Sequence, residues 1–160
     1  MEAIVAVYGD WGIGCGGTQP VTLSADRKYF LKRTKGTCVI VGRRTLEDFP
    51  GGRPLPNRRN LVLTRQSAPI PGAELVHSPA QALEACEGEA MVIGGASVYR
   101  QLLPWCTRVY VTRLDVCPES DVFFPNLDED PAWVCTDPGE PAWENGVCYR
   151  FCVYERRGEG

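Results

Sequence analysis

Four short, almost wholly apolar runs constrain this chain more than any other feature: Ile4-Val5-Ala6-Val7-Tyr8, Cys38-Val39-Ile40-Val41, Asn60-Leu61-Val62-Leu63-Thr64 and Ala90-Met91-Val92-Ile93. A strand that is apolar at successive positions buries both faces, the condition of a strand inside a parallel sheet covered by helices on each side. Helical stretches separate the runs, at Ser24 to Thr34, Arg43 to Phe49, Pro79 to Cys86 and Ala96 to Leu103. Ser24 is expected as an N-cap, Pro79 suits a first helical turn, and Gly88 suits a helix stop. Two later runs, Val109 to Leu114 and Val147 to Val153, alternate more and are expected as late, partly antiparallel strands. Strands alternating with crossover helices predict an α/β fold.

The 160 residues suit one domain over 1–160. A chain of that size buries about 70% of its unfolded surface, so its core needs neither metal nor disulfide. Hydrophobic residues at 44% and charged residues at 23% exclude collagen-like, coiled-coil and largely disordered chains. No apolar run approaches the ~18 residues of a membrane span. Glu2 follows Met1 with no basic segment, so no signal peptide is expected and a cytoplasmic location is. Eight cysteines, at 15, 38, 86, 106, 117, 135, 148 and 152, are an even count that permits disulfides. Without a secretion signal, buried free thiols are the preferred reading. There is no Cys-x-x-Cys, and the single histidine, His77, has no cysteine beside it, so no metal site is expected. The net charge of -3 is the opposite of what a phosphate-tracking nucleic-acid binder carries.

The stretch from Gly9 to Thr22 holds Gly9, Gly12, Gly14, Gly16, Gly17 and Pro20 and is expected as an irregular loop. Lying straight after the first strand, it falls at the carboxyl edge of a parallel sheet, where open α/β sheets bind ligands. At Ile93-Gly94-Gly95-Ala96-Ser97-Val98-Tyr99 a strand ends in two glycines and a helix begins at once, leaving bare N–H groups that suit a phosphate. A ligand-free tight turn is the alternative. Val41-Gly42-Arg43-Arg44-Thr45 repeats the device with two arginines at a helix start, where cations oppose the dipole unless an anion bridges them. Thr64 and Arg65 end the adjacent run. Three arginines at one sheet edge point to a dinucleotide with an extra phosphate, since Arg is favoured for the 2′-phosphate of NADP. Solvated surface arginines are the alternative.

Asp26 shares an apolar stripe with Leu23, Phe30 and Arg33 at helical spacing. It is either a first-turn dipole residue or a carboxylate in an apolar pocket, where desolvation raises its pKa and an amidine-like ligand pairs with it. The loop Gly52-Arg53-Pro54-Leu55-Pro56-Asn57-Arg58-Arg59-Asn60 is stiffened by prolines. Either Arg58 or Arg59 suits a substrate carboxylate, or both are edge charges.

Taken together, Ile13-Gly14, Leu23-x-x-Asp26-x-x-x-Phe30, Val41-Gly42-Arg43-Arg44-Thr45, Gly52-Arg53-Pro54-Leu55-Pro56-x-Arg58-x-Asn60, Val92-Ile93-Gly94-Gly95-x-x-Val98-Tyr99, Thr112 and Asp121-x-Phe123-Phe124-Pro125 resemble dihydrofolate reductases. The resemblance runs from Ile4 to about Arg157, and the order of the motifs makes it specific. It implies a central eight-stranded, mostly parallel sheet with an antiparallel C-terminal strand, flanked by helices. It also implies NADPH-dependent reduction of 7,8-dihydrofolate to tetrahydrofolate by a monomer, with antifolate inhibitors as further ligands and no nucleic acid or membrane partner.

By the same resemblance Asp26 is the catalytic acid that grips the pteridine, with Thr112 bonded behind it. Phe30, Phe49 and Leu55 enclose the pterin and aminobenzoyl rings, and Arg58 takes the glutamate α-carboxylate. The main chain at Ile4, Val5, Ala6 and Ile93, together with Tyr99, borders the substrate. Ala6, Ile13, Gly14, Gly17, Thr18 and Gln19 belong to the cofactor side. Gly42, Arg43, Arg44, Thr45, Leu63, Thr64 and Arg65 match the region around the adenosine 2′-phosphate. Gly94, Gly95, Ala96, Ser97, Val98 and Tyr99, with Gln101, match the pyrophosphate cradle, where the family's Gly-Gly peptide is cis. The chain departs from the family at Val21, where a Trp that helps hold a water is usual, and at Ala96, where a third Gly is common. Two rivals share part of the pattern: a pyrimidine-type reductase of riboflavin synthesis, which needs no Asp26, Phe30 and Arg58 set, and a non-catalytic dinucleotide-binding module.

Overall fold

In the computed structural model, which describes residues 1–158, the apolar runs become neighbours in one sheet. In chain order the elements are β1 (Glu2–Val7), β2 (Gly12–Gly14), α1 (Ser24–Thr34), β3 (Cys38–Gly42), α2 (Arg43–Glu47), β4 (Arg59–Leu63), β5 (Glu74–Val76) and α3 (Pro79–Ala85). Then follow β6 (Met91–Gly94), α4 (Ala96–Leu102), β7 (Arg108–Leu114), β8 (Val122–Phe123), β9 (Trp133–Asp137), β10 (Ala142–Glu144) and β11 (Val147–Arg156). Eight strands run β10-β11-β7-β1-β6-β3-β4-β5, and β9 adds a ninth by pairing with β11. From β7 to β5 every pairing is parallel, whereas β11 is antiparallel to β7, β9 and β10. The expected mostly parallel sheet with an antiparallel C-terminal strand is therefore present.

The apolar runs bury both faces by strict alternation. Ile4, Val39, Val41, Val62, Met91, Ile93 and Tyr110 pack with Leu46 of α2 and with Tyr29 and Phe30 of α1. Their sequence neighbours Val5, Ile40, Leu61, Val92 and Val109 pack with Ala82 of α3 and Val98, Tyr99 and Leu102 of α4. The sheet thus lies between α1 and α2 on one side and α3 and α4 on the other. Among the described residues, no helix is long and apolar enough to cross a membrane.

Two local expectations are corrected. Ser24 is the first helical residue and not the cap: Leu23 occupies the N-cap position without a side-chain bond, because a carboxylate from β10 serves instead. The Gly9–Thr22 stretch is not wholly irregular, since Gly12 to Gly14 pairs with Val122 and Phe123 as a two-stranded ribbon. The run from Val109 lies in β7, parallel to β1 and antiparallel to β11, the partly antiparallel late strand expected. Ser78 caps α3 by accepting from Gln81 N–H at 3.1 Å, with Pro79 following it. Gly88 closes that helix at φ 78°.

Candidate active site

Asp26 stands half-buried in the first turn of α1, against the sheet. Its Oδ1 accepts the Thr112 hydroxyl at 2.6 Å, and Thr112 is completely buried in β7. The register aligns Ala6 of β1, Thr112 of β7 and Phe151 of β11. Asp26 therefore meets the sheet at Thr112, which Ala6 and Phe151 flank in register. Burial pushes its carboxyl above the usual carboxylate range, while the Thr112 hydrogen bond pulls in the opposite direction. Phe30, Phe49 and Leu55 are half-buried on the same side of the sheet.

Strands β6, β3 and β4 are consecutive in the sheet, so their carboxyl ends bring three turns together. Gly94 is in register with Val41, and Leu63 with Gly42. A Cβ on Gly95 would stand 2.9 Å from Thr45 Oγ1, and one on Gly42 3.1 Å from Val98 Cγ2. A side chain at Gly95 would force Thr45 to shift, and one at Gly42 would crowd Val98. The Gly94–Gly95 peptide is cis. Neither α2 nor α4 has a side-chain cap, so the first N–H groups of both face the edge. Arg44 and Arg65 are exposed and enter no ion pair among the described residues, whereas Arg43 contacts Glu47 and the Ala68 carbonyl. Uncapped N–H groups, side-chain-free backbone and unneutralised guanidinia form a donor set that fits phosphates.

Farther along α1, Arg58 donates from Nε to Thr34 Oγ1 at 2.9 Å, from Nη2 to the Leu31 carbonyl at 2.8 Å and from Nη1 to the Pro56 carbonyl at 2.6 Å. All three acceptors are neutral, so its charge is not compensated and one hydrogen on each Nη stays free. Arg59 instead grips Glu74 with two bonds, at 2.6 and 2.9 Å. The choice left open by sequence thus falls on Arg58 as the free cation. Buried Asn60 staples the loop through the Leu55 N–H and carbonyl and the Arg58 carbonyl.

The sequence model of the dihydrofolate reductase family matches residues 1–156. The chain belongs to that family. It is 40% identical over 152 residues to the dihydrofolate reductase of Bacillus subtilis (strain 168), covering 91% of this chain and 88% of that protein. It is 41% identical over 150 residues to that of Mycobacterium tuberculosis (strain ATCC 25618 / H37Rv), covering 90% of each. Among solved structures, dihydrofolate reductase from Enterococcus faecalis complexed with NADP(H) and RAB-propyl superposes with a TM-score of 0.87 at 30% identity, over 98% of this chain and 96% of the other.

Several residues assigned through the dihydrofolate reductase resemblance lie behind the cleft. The side chains of Val5, Leu63, Val98 and Tyr99 belong to the core on the α4 side, opposite Asp26. Tyr99 is buried and donates its hydroxyl to the Ile4 carbonyl at 2.6 Å; burial holds that phenol well above its usual range. Ile4 and Ile93 lie on the Asp26 side. Ile13 packs on the α4-side core, Gly14 is buried in β2, and Gly17, Thr18 and Gln19 are exposed on the loop. Ser97 accepts from the Gln101 amide at 3.0 Å, and Thr64 accepts from the Gln66 N–H at 3.1 Å.

Sequence reasoning missed two fastenings of the glycine loop and one of α1. Asp121 accepts from Gly16 N–H at 2.9 Å while its own N–H donates to the Gly14 carbonyl. Tyr8 donates its hydroxyl to the Val21 carbonyl at 2.8 Å and accepts from the Val21 N–H at 3.0 Å. Glu144 of β10 accepts from Ser24 N–H at 2.7 Å, Ser24 Oγ at 2.8 Å and Ala25 N–H at 3.0 Å, capping the helix that carries Asp26. Only the motif containing Asp121 carried a sequence signal. All eight cysteines are free thiols, and burial pushes Cys38, Cys106 and Cys152 up to about 11. Among the described residues no group of His, Cys, Asp and Glu is placed to hold a metal.

Proposed function

We infer that this protein reduces 7,8-dihydrofolate to tetrahydrofolate, as a single-domain monomer in the cytoplasm. The observation that supports the reading most directly is the Asp26 carboxylate, half-buried beside apolar walls and held by the hydroxyl of a fully buried threonine. A carboxylate so placed accepts two parallel N–H bonds from the amidine-like edge of a pterin, a pairing stronger than neutral hydrogen bonds. Phe30, Phe49 and Leu55 supply the apolar walls for the rings. Arg58, with its two free N–H groups, takes the substrate's α-carboxylate.

NADPH, when bound, supplies the hydride. Gly94 to Tyr99 would hold its pyrophosphate, and Arg43, Arg44, Thr45, Thr64 and Arg65 its 2′-phosphate. The loop fastened by Asp121 and Tyr8 excludes water from the reacting centre. Asp26 binds the pterin and raises the basicity of N5, and a water completes the proton's route to that nitrogen. Val21 donates only its backbone N–H, which Tyr8 already engages, so that water has no indole partner here.

In Asp26→Asn, loss of this group is expected to lower the single-turnover rate of dihydrofolate reduction at neutral pH by about 10²-fold or more. A rate within threefold of the parent would remove Asp26 from the assigned role.

A further inference from the structure

The loop that joins β1 to α1 is tied to the rest of the protein at two separate points. In its first half, Gly14 pairs with Val122, and the Gly16 N–H reaches Asp121 at 2.9 Å. In its last part, residues 19–22 hydrogen-bond to other described residues only through Val21. The Val21 carbonyl and N–H both meet the Tyr8 hydroxyl, at 2.8 and 3.0 Å. Where the first half ends, Gly16 and Gly17 take φ of 60° and 83°, with open space where a Cβ would stand. The last part of the loop is therefore free to swing about these glycines unless Tyr8 holds it.

Tyr8 is itself firmly placed. It continues β1 on the face that carries Ile4 and Ala6, the face that Asp26 meets. Its side chain is buried against Leu23, Leu114 and Tyr149, and its N–H donates to the Gly12 carbonyl at 2.9 Å. One rigid phenol thus donates to and accepts from a single residue, which fixes the main chain of Val21 in both position and orientation. Burial pushes the Tyr8 phenol above its usual range, so it keeps the proton that it donates. The Val21 side chain has no hydrogen-bonding group, so its main chain is the polar tie at this end of the loop. Strand β1 lies beside β6, whose carboxyl end carries the Gly94–Gly95 turn. The loop therefore leaves the sheet next to the turn that suits a phosphate.

Resting on the proposed dihydrofolate reading, we propose that Tyr8 is a positioning residue: its hydroxyl holds the Val21 end of the loop against the sheet and thereby keeps NADPH in the cleft for hydride transfer. Asp26, Phe30 and Arg58 lie outside the loop, so the clasp acts on the cofactor and not on the binding of dihydrofolate by itself.

The test is Tyr8→Phe, which keeps the ring in its apolar surroundings and removes only the hydroxyl. Hydrogen exchange of the Val21 amide should accelerate, and NADPH should dissociate about tenfold faster, the scale of losing a hydrogen bond or two. Single-turnover reduction should fall by a similar factor, while dihydrofolate binds the cofactor-free variant within about twofold of the parent. A folded variant that releases NADPH as slowly as the parent overturns the proposal. So does an equal loss of dihydrofolate binding, which a merely structural role would produce. A second measurement needs no variant. Coupling between two equilibria is reciprocal, so saturating NADPH should slow Val21 amide exchange in the parent by about tenfold. Equal exchange with and without NADPH also overturns the clasp. Dissociation and exchange need no turnover, so a Tyr8 effect on NADPH in a protein that leaves dihydrofolate unreduced would overturn the assigned reaction and leave the cofactor clasp standing.

Discussion

At the scale of single residues, the chemistry depends on how two opposing effects set the charge of Asp26. Burial disfavours the carboxylate, and the Thr112 hydroxyl favours it. Thr112→Val keeps the volume of a buried strand residue but removes the donor, so the Asp26 pKa is expected to rise further. The pH midpoint of single-turnover dihydrofolate reduction that reports Asp26 should move upward with it. An unchanged or lowered midpoint would mean that the 2.6 Å bond does not govern this titration. Arg58 and Arg59 illustrate why identity alone was not enough at this scale. They are adjacent and chemically identical in sequence, and the distinction comes from Glu74, which lies 15 residues beyond Arg59 and comes beside it because β5 pairs with β4.

At the scale of elements, α1 starts where a distant strand supplies its missing cap. The bonds from Ser24 and Ala25 hold the Glu144 carboxyl below its usual range. A group with a depressed folded pKa stabilises the fold above its unfolded value, near 4.5, and that contribution is lost as pH falls through the folded value. Glu144→Ala is therefore expected to lower the thermal midpoint at neutral pH, with the difference from the parent vanishing in acid. Scanning calorimetry over that pH range checks this. The paired strand-to-helix turns make a second element-scale test. Gly95→Ala drives a methyl group to 2.9 Å from Thr45 Oγ1. Overpacking of this kind costs about 1–3 kcal/mol, and the substitution should weaken NADPH binding by about tenfold. Titration of NADPH fluorescence reads the loss, which should be smaller in a Thr45→Ala background if the clash is its cause.

At the scale of the whole molecule, one sheet separates the α1/α2-side core from the α4-side core and sets the glycine turns along its carboxyl edge, while Arg58 precedes β4 at the opposite edge. Leu61 is fully buried in β4 under the α4-side core, so Leu61→Ala is expected to cost about 2–5 kcal/mol in urea unfolding. Leu31, 43% exposed on α1, should change stability by no more than about 0.5 kcal/mol when truncated. Equal costs would mean that the sheet core does not dominate stability. The same sheet order explains how Gly42, Thr64 and Gly94, far apart in the chain, become neighbours: β6 inserts between β1 and β3, and β4 follows β3.

Local patterning by itself determined the long strands, the four helices within a few residues, and the glycine turns where strands meet helices. Continuous apolar runs can be buried only one way, and a glycine pair before a helix leaves few conformations. The short strands β2, β5, β8, β9 and β10 were not legible, because two to five residues carry too little periodicity and depend on their partners. Tertiary structure alone decided that Glu144 caps α1, that Tyr8 holds Val21, and that Arg58 keeps its charge free while Arg59 does not. Each of these contacts joins groups whose pairing depends on the path of the chain between them, and no local preference of either partner specifies it.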